Sequence, residues 1–164
     1  MIRIAKINLF LAPALISVLL VAGTAFAQAR GPVTPSREDK CPVCGMFVYK
    51  YPDWVTQIIF KDGSVDFFDG AKDMFKYYFD LKKYNPRKGR ADIAVIYVRE
   101  YYDMKEIDAR EAFFVIGSDV YGPMGHELIP MATEEDARTF MKDHHGKRVL
   151  RFEEITPKVI EKLD

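Results

Sequence analysis

Residues 54–81, WVTQIIFKDGSVDFFDGAKDMFKYYFDL, decide the fold, because two strand patterns, a turn and a helix pattern follow one another there without a gap. Residues 54–60 are rich in β-branched and aromatic side chains, Lys61-Asp62-Gly63-Ser64 has turn chemistry, and residues 65–68 resume the strand pattern. That combination predicts a β-hairpin. Asp69 is then a good helix N-cap, and Met74, Phe75, Tyr78, Phe79 and Leu81 recur at helical spacing until Asn85-Pro86 stops the run. Residues 93–98, IAVIYV, supply a third apolar strand.

The pattern repeats in outline further along. Residues 112–116, AFFVI, read as a strand and 127–131 as a shorter one. Thr133 opens a helix with the capping-box-like start Thr133-Glu134-Glu135-Asp136, Ala137, Phe140 and Met141 form its apolar stripe, and Gly146 ends it. Residues 149–152 close the unit, and 153–164 read as a short terminal helix. The predicted fold class is therefore α+β, two consecutive small ββαβ units packed as one compact domain, with a degenerate internal duplication. The first unit spans 41–99 and the second 112–164, joined by a solvated, charged connection over 100–111.

Upstream of the domain, Arg3 and Lys6 precede an apolar stretch over about residues 9–22, and small residues end it at Ala25-Phe26-Ala27-Gln28-Ala29. This is the pattern of a cleaved signal peptide over 1–27. The apolar run is short for a spanning helix and is interrupted by Pro13 and Ser17. Residues 28–40, with Pro32, Pro35 and Ser36, read as an extended lead-in. No cysteine lies near the cleavage site to carry a lipid, so membrane anchoring is not expected and export to the periplasm is. Removing Arg3 and Lys6 from a balanced 24 cationic and 24 acidic residues leaves a net charge near −2, which points to no nucleic-acid partner.

Two segments concentrate sulfur. Cys41-Pro42-Val43-Cys44-Gly45-Met46 places two thiols and a thioether within six residues, and Gly45 permits a tight turn that can converge Cys44 and Met46. Tyr121-Gly122-Pro123-Met124-Gly125-His126 flanks Met124 with glycines and a proline, surroundings that a core methionine rarely needs. Cysteines three apart close too small a loop to brace a fold, so their purpose is chemical. Thiolate and thioether sulfur together prefer copper(I); zinc rarely takes methionine, and calcium and magnesium want oxygen. The candidate ligands are Cys44, Met46 and Met124, with Cys41 and His126 as possible additions. Met74, Met104, Met131 and Met141 read as core residues, Met131 also as a reserve ligand.

CPVCGM, KDGSVDFFDGAKDMFKYY and YGPMGHELIP resemble the NosL family of copper accessory proteins for nitrous-oxide reductase, over about residues 41–152. The resemblance implies a fold of two ββαβ units, and copper(I) held by Cys44, Met46 and Met124. It further implies a copper donor and delivery to nitrous-oxide reductase or another periplasmic copper protein, by a chaperone that is not an enzyme. Many family members are lipoproteins, unlike the expectation for this chain. Some keep only the cysteine of the CGM triplet, which leaves Cys41 open as auxiliary ligand, disulfide partner or bystander.

Other readings stay open from the residues alone. Cys41 and Cys44 could form a periplasmic thiol-disulfide oxidoreductase pair, although no buried strand precedes them as in the usual redox motif. The cysteines with two of His126, His144 and His145 could hold zinc, while His144 and His145 also suit a helix C-terminus. A copper-storing or sensing module would differ from a chaperone only in its partner. Tyr49, Tyr51 and Trp54 could form a docking surface or pack at a strand edge.

Overall fold

The computed structural model describes residues 31–164. The signal-peptide expectation for 1–27 lies outside the described residues. The hairpin forms as expected: β1 (Thr56–Phe60) pairs antiparallel with β2 (Val65–Phe68), and Thr56 lies opposite Phe68. Its turn is closed by Gly63 N–H donating to Phe60 O (2.9 Å) and by the Asp62 side chain accepting from Ser64 N–H (3.1 Å).

β1 is central and wholly buried, between β2 and β3 (Ile93–Arg99), so its polar residues need partners. Thr56 donates to Gly70 O (3.2 Å), and Gln57 exchanges two hydrogen bonds with the backbone of Val33 (2.8 and 3.1 Å), which straps the lead-in to the sheet.

The helix that follows differs from expectation at both ends. α1 (Ala71–Phe79) is capped by Gly70 and receives no side-chain cap from Asp69, which turns toward Cys44 instead. Asp80 breaks the run and caps a separate turn, α2 (Leu81–Tyr84), accepting from Lys83 N–H at 3.2 Å.

The connection over 100–111 also departs from expectation. Residues Glu106–Asp108 form β4 on the edge of β3, giving a four-stranded sheet in the order β2-β1-β3-β4. In the turn before it Met104 takes φ +55° and is 41% exposed, so the core assignment for Met104 fails.

In the second half β5 (Phe113–Ile116) is central between β8 (Ile129–Met131) and β9 (Arg148–Arg151), both antiparallel. The order second-first-third strand is thus the same in both units. Between β5 and β8 sits a small hairpin, β6 (Tyr121–Gly122) and β7 (Gly125–His126). α3 (Glu134–Asp143) is capped as expected by Thr133, which accepts from Asp136 N–H at 3.1 Å. His145 (φ +55°), rather than Gly146, takes the left-handed position after it. α4 (Pro157–Glu161) occupies the terminal stretch.

Phe75 of α1 joins the halves, with ring centroids 5.4 Å from Phe114 and 5.1 Å from Phe152. One core therefore runs from β1 through α1 to β5, β9 and α4, and the α+β class with the halves packed together is confirmed. A smaller cluster of Val115, Ile129, Met131, Ala137 and Phe140 lies under α3. Met74 and Met131 are fully buried, and Met141 packs half-buried on the smaller cluster. Inside that apolar cluster Met131 serves packing, and its reserve role as ligand falls away.

Candidate metal centre

Cys41 to Met46 form a closed loop. Cys41 N–H donates to Met46 O (2.9 Å), Gly45 N–H donates to Cys41 O (2.8 Å), and Lys40 and Phe47 bridge the loop's base. Gly45 has φ +78°, a conformation that glycine adopts without steric cost, and it provides the tight turn read from the sequence. Both cysteines are unbridged thiols, Cys41 buried and Cys44 half-buried; Met46 is half-buried.

The loop rests on the N-terminal turn of α1. Cys41 Sγ lies 3.4 Å from Asp73 Oδ2, and Cys44 Sγ lies 3.3 and 3.4 Å from the two oxygens of Asp69. One ligand atom from each of Cys41, Cys44, Asp69 and Asp73 falls within 4.8 Å of the others. Neither aspartate stands out as a ligand in the sequence. Asp73 lies in the first turn of α1 and Asp69 just before its Gly70 cap, and acidic residues at a helix start are ordinarily solvated.

Burial pushes both thiols up. For Cys44 the value rises to about 11, with backbone N–H donation from Met46 pulling the other way and the aspartates adding to the rise. For Cys41, more deeply buried, the shift goes further in the same direction, and the charges of Asp69 and Asp73 add to it. Each therefore remains an S–H donor to its carboxylate at neutral pH.

Met124 lies at the tip of the β6–β7 hairpin, after Pro123 and before Gly125 (φ +89°), and is 42% exposed. Its carbonyl accepts from Lys72 Nζ at 2.8 Å. Lys72 belongs to the same first turn of α1 whose flanking Asp69 and Asp73 face the cysteines. Each of the two sulfur segments thus contacts a residue at the start of α1, the cysteine loop through Asp69 and Asp73 and the Met124 turn through Lys72.

His126 is exposed on β7 with its ring 4.7 Å from that of Tyr121. His144 lies 3.1 Å from Asp119 and stacks on Phe140 (4.3 Å) at the end of α3. Among the described residues the converging group of cysteine and acidic ligands contains no histidine. Of the three aromatics, Tyr49 is 40% exposed beside Phe47, while Trp54 packs against the smaller core. A surface cavity of about 610 Å³, lined in part by Ile116, Lys147, Arg148 and Leu163, contains none of the candidate ligands.

The family model described as NosL matches residues 32–160. A copper-binding lipoprotein NosL from Stutzerimonas stutzeri is 35% identical over 136 residues, which is 78% of this chain and 67% of the relative. The crystal structure of the copper chaperone NosL from Shewanella denitrificans superposes with a TM-score of 0.66 at 26% identity, over 78% of this chain and 97% of that one. A matching family model, a matching relative and a matching fold agree, and this chain belongs to the NosL family.

Proposed function

We propose that this protein binds copper(I) through Cys44, Met46 and Met124 and passes it, outside the cytoplasm, to a copper protein, with nitrous-oxide reductase as the client. The observation that carries the reading is the start of α1, where Asp69 and Asp73 contact the unbridged cysteine loop and Lys72 holds the carbonyl of the exposed Met124.

The names of the relatives, a copper-binding lipoprotein and a copper chaperone, support copper as the cargo, and the lipoprotein supports export. Sulfur softness selects the cuprous state. Copper displaces the proton of the Cys44 thiol, while the thioethers have no proton to lose and hold the ion without locking it in. The exposure of Met124 gives an incoming ligand an approach to the ion. Cys41 is a second thiol within the same cluster and His126 a nitrogen next to the turn, either of which can fill an open position. The copper donor meets the same exposed side.

A thiol-disulfide oxidoreductase is disfavoured on chemistry. Such enzymes depress the attacking thiol, often at a helix N-terminus, whereas burial pushes both thiols here upward and neither starts a helix. Among the described residues no helix is long and apolar enough to cross a membrane.

The test is anaerobic competition of the reduced protein with a copper(I) chelator. Cys44→Ser, Met46→Leu and Met124→Leu are each expected to bind at least about tenfold more weakly, roughly 1.4 kcal/mol. Methionine variants that bind as tightly as the parent, with dithiol activity that depends on Cys41, would favour the redox reading. Copper transfer to metal-free nitrous-oxide reductase tests the client. Without transfer, a storing or sensing role remains.

A further inference from the structure

Lys72 is a lysine almost without solvent, 2% exposed, in the first turn of α1. A buried ammonium is costly unless its N–H groups find acceptors. Its acceptors are Met124 O (2.8 Å), Leu163 O (3.1 Å) and the carboxylate of Asp164 (3.4 Å), none of which lies on its own helix.

The base of the Met124 hairpin is fastened to the same turn by an independent contact. Buried Glu127, directly after β7, accepts from Lys72 N–H (2.5 Å) and Leu128 N–H (2.8 Å), so a residue 55 positions away supplies the cap that α1 lacks locally. A Cβ on Gly70 would overlap Oε2 of Glu127, and a Cβ on Gly122 would stand 3.1 Å from the same side chain. Glycine at those two positions lets the hairpin approach the helix this closely.

Lys72 stands three residues after Asp69 and directly before Asp73, the two residues that hold the thiols. The start of α1 and the residue just before its cap thus contact both the cysteine loop, through Asp73 and Asp69, and the Met124 turn, through Lys72. The contact of Lys72 with the candidate site runs through the Met124 carbonyl.

We propose that Lys72 is a positioning residue of the copper site, holding the Met124 turn against α1 so that its thioether completes the sphere begun by Cys44 and Met46. This rests on the copper reading above. The Lys72–Met124 contact is the strap, and Glu127 keeps the hairpin base from sliding when the tip is pulled.

The experiment is a double-mutant cycle on the reduced, copper(I)-loaded protein, with Lys72→Met, Met124→Leu and both together. Affinity is read by chelator competition and sulfur coordination by copper K-edge absorption. Lys72→Met is expected to weaken binding about tenfold, the order lost when a group supporting a metal ligand is removed, and to lower the sulfur count as Met124→Leu does. On the Met124→Leu background it should cost nothing further. Lys72→Gln, which keeps a donor but shortens the reach, carries the same expectation and covers the case in which Lys72→Met does not fold.

A loss equally large in both backgrounds, or a sulfur count unchanged by Lys72→Met and Lys72→Gln, overturns the inference while leaving the copper reading intact. A Met124→Leu variant with parental affinity overturns the role of Met124 and the inference together.

Discussion

Glu127→Gln is expected to change how the stability of this protein responds to pH. Glu127 is buried, and its carboxyl rises from an ordinary 4.5 to about 8; burial is the main cause and Asp73 adds repulsion, against two backbone N–H donors and the charge of Lys72. The folded chain therefore holds this proton more tightly than the unfolded chain between those values. For a raised acid the contribution is fully present below pH 4.5 and is lost as pH rises through 8, so stability falls with pH. At 1.36 kcal/mol per pH unit the ceiling is about 5 kcal/mol, of which about 3 kcal/mol falls between pH 5 and 7.5. Glutamine keeps the Oε1 acceptor for Lys72 and Leu128 but does not titrate. The assay is denaturant and thermal unfolding of the reduced, metal-free parent and variant at pH 5, 6 and 7.5. The variant should gain about 3 kcal/mol on the parent across that range, or roughly 10 °C in Tm for a chain of this size. Parallel pH curves for the two proteins would mean instead that Glu127 is ionised in the fold at all three values.

Two further outcomes follow from the cysteine loop. Gly45→Ala should cost about 1–2 kcal/mol in urea unfolding and weaken copper(I) binding, because φ +78° is left-handed while the added methyl meets nothing within 4 Å. Gly45→Asn should be milder, and a neutral alanine variant would contradict the claim. The apparent copper(I) association constant should rise about tenfold per pH unit for each thiol proton released, since the Cys44 thiol, pushed up to about 11, is protonated across pH 6–8. Measured by competition with a pH-corrected chelator, one decade per unit means one thiol proton released, two decades mean both, and a flat response would exclude thiolate ligation.

Local signals carried most of the fold into the sequence. The 61–64 turn, the Thr133 cap and the apolar stripe of α3 each depend on residues a few positions apart and form where expected, as does the α1 pattern as far as Phe79. The departures depend on distant partners. β4 is Glu106-Ile107-Asp108, a polar segment that becomes a strand only because the edge of β3 lies beside it. The cap of α1 comes from Glu127, so Asp69 is released to face Cys44, and no local pattern announces that exchange. At the candidate site the sulfur atoms were legible because CxxCGM and GPMG combine unusual residues at short spacing. Asp69, Asp73 and Lys72 were illegible for the opposite reason: charged residues opening a helix look solvated until the cysteine loop and the Met124 hairpin are laid over them.

On the copper reading, one copper(I) ion is held jointly by the cysteine loop and the Met124 turn. Copper K-edge absorption of the reduced, copper(I)-loaded parent and its Met124→Leu variant tests it most directly. Sulfur is expected to dominate the copper coordination in the parent, with one sulfur fewer in the variant. A shell dominated by oxygen from Asp69 and Asp73, or one that Met124→Leu leaves unchanged, would contradict it.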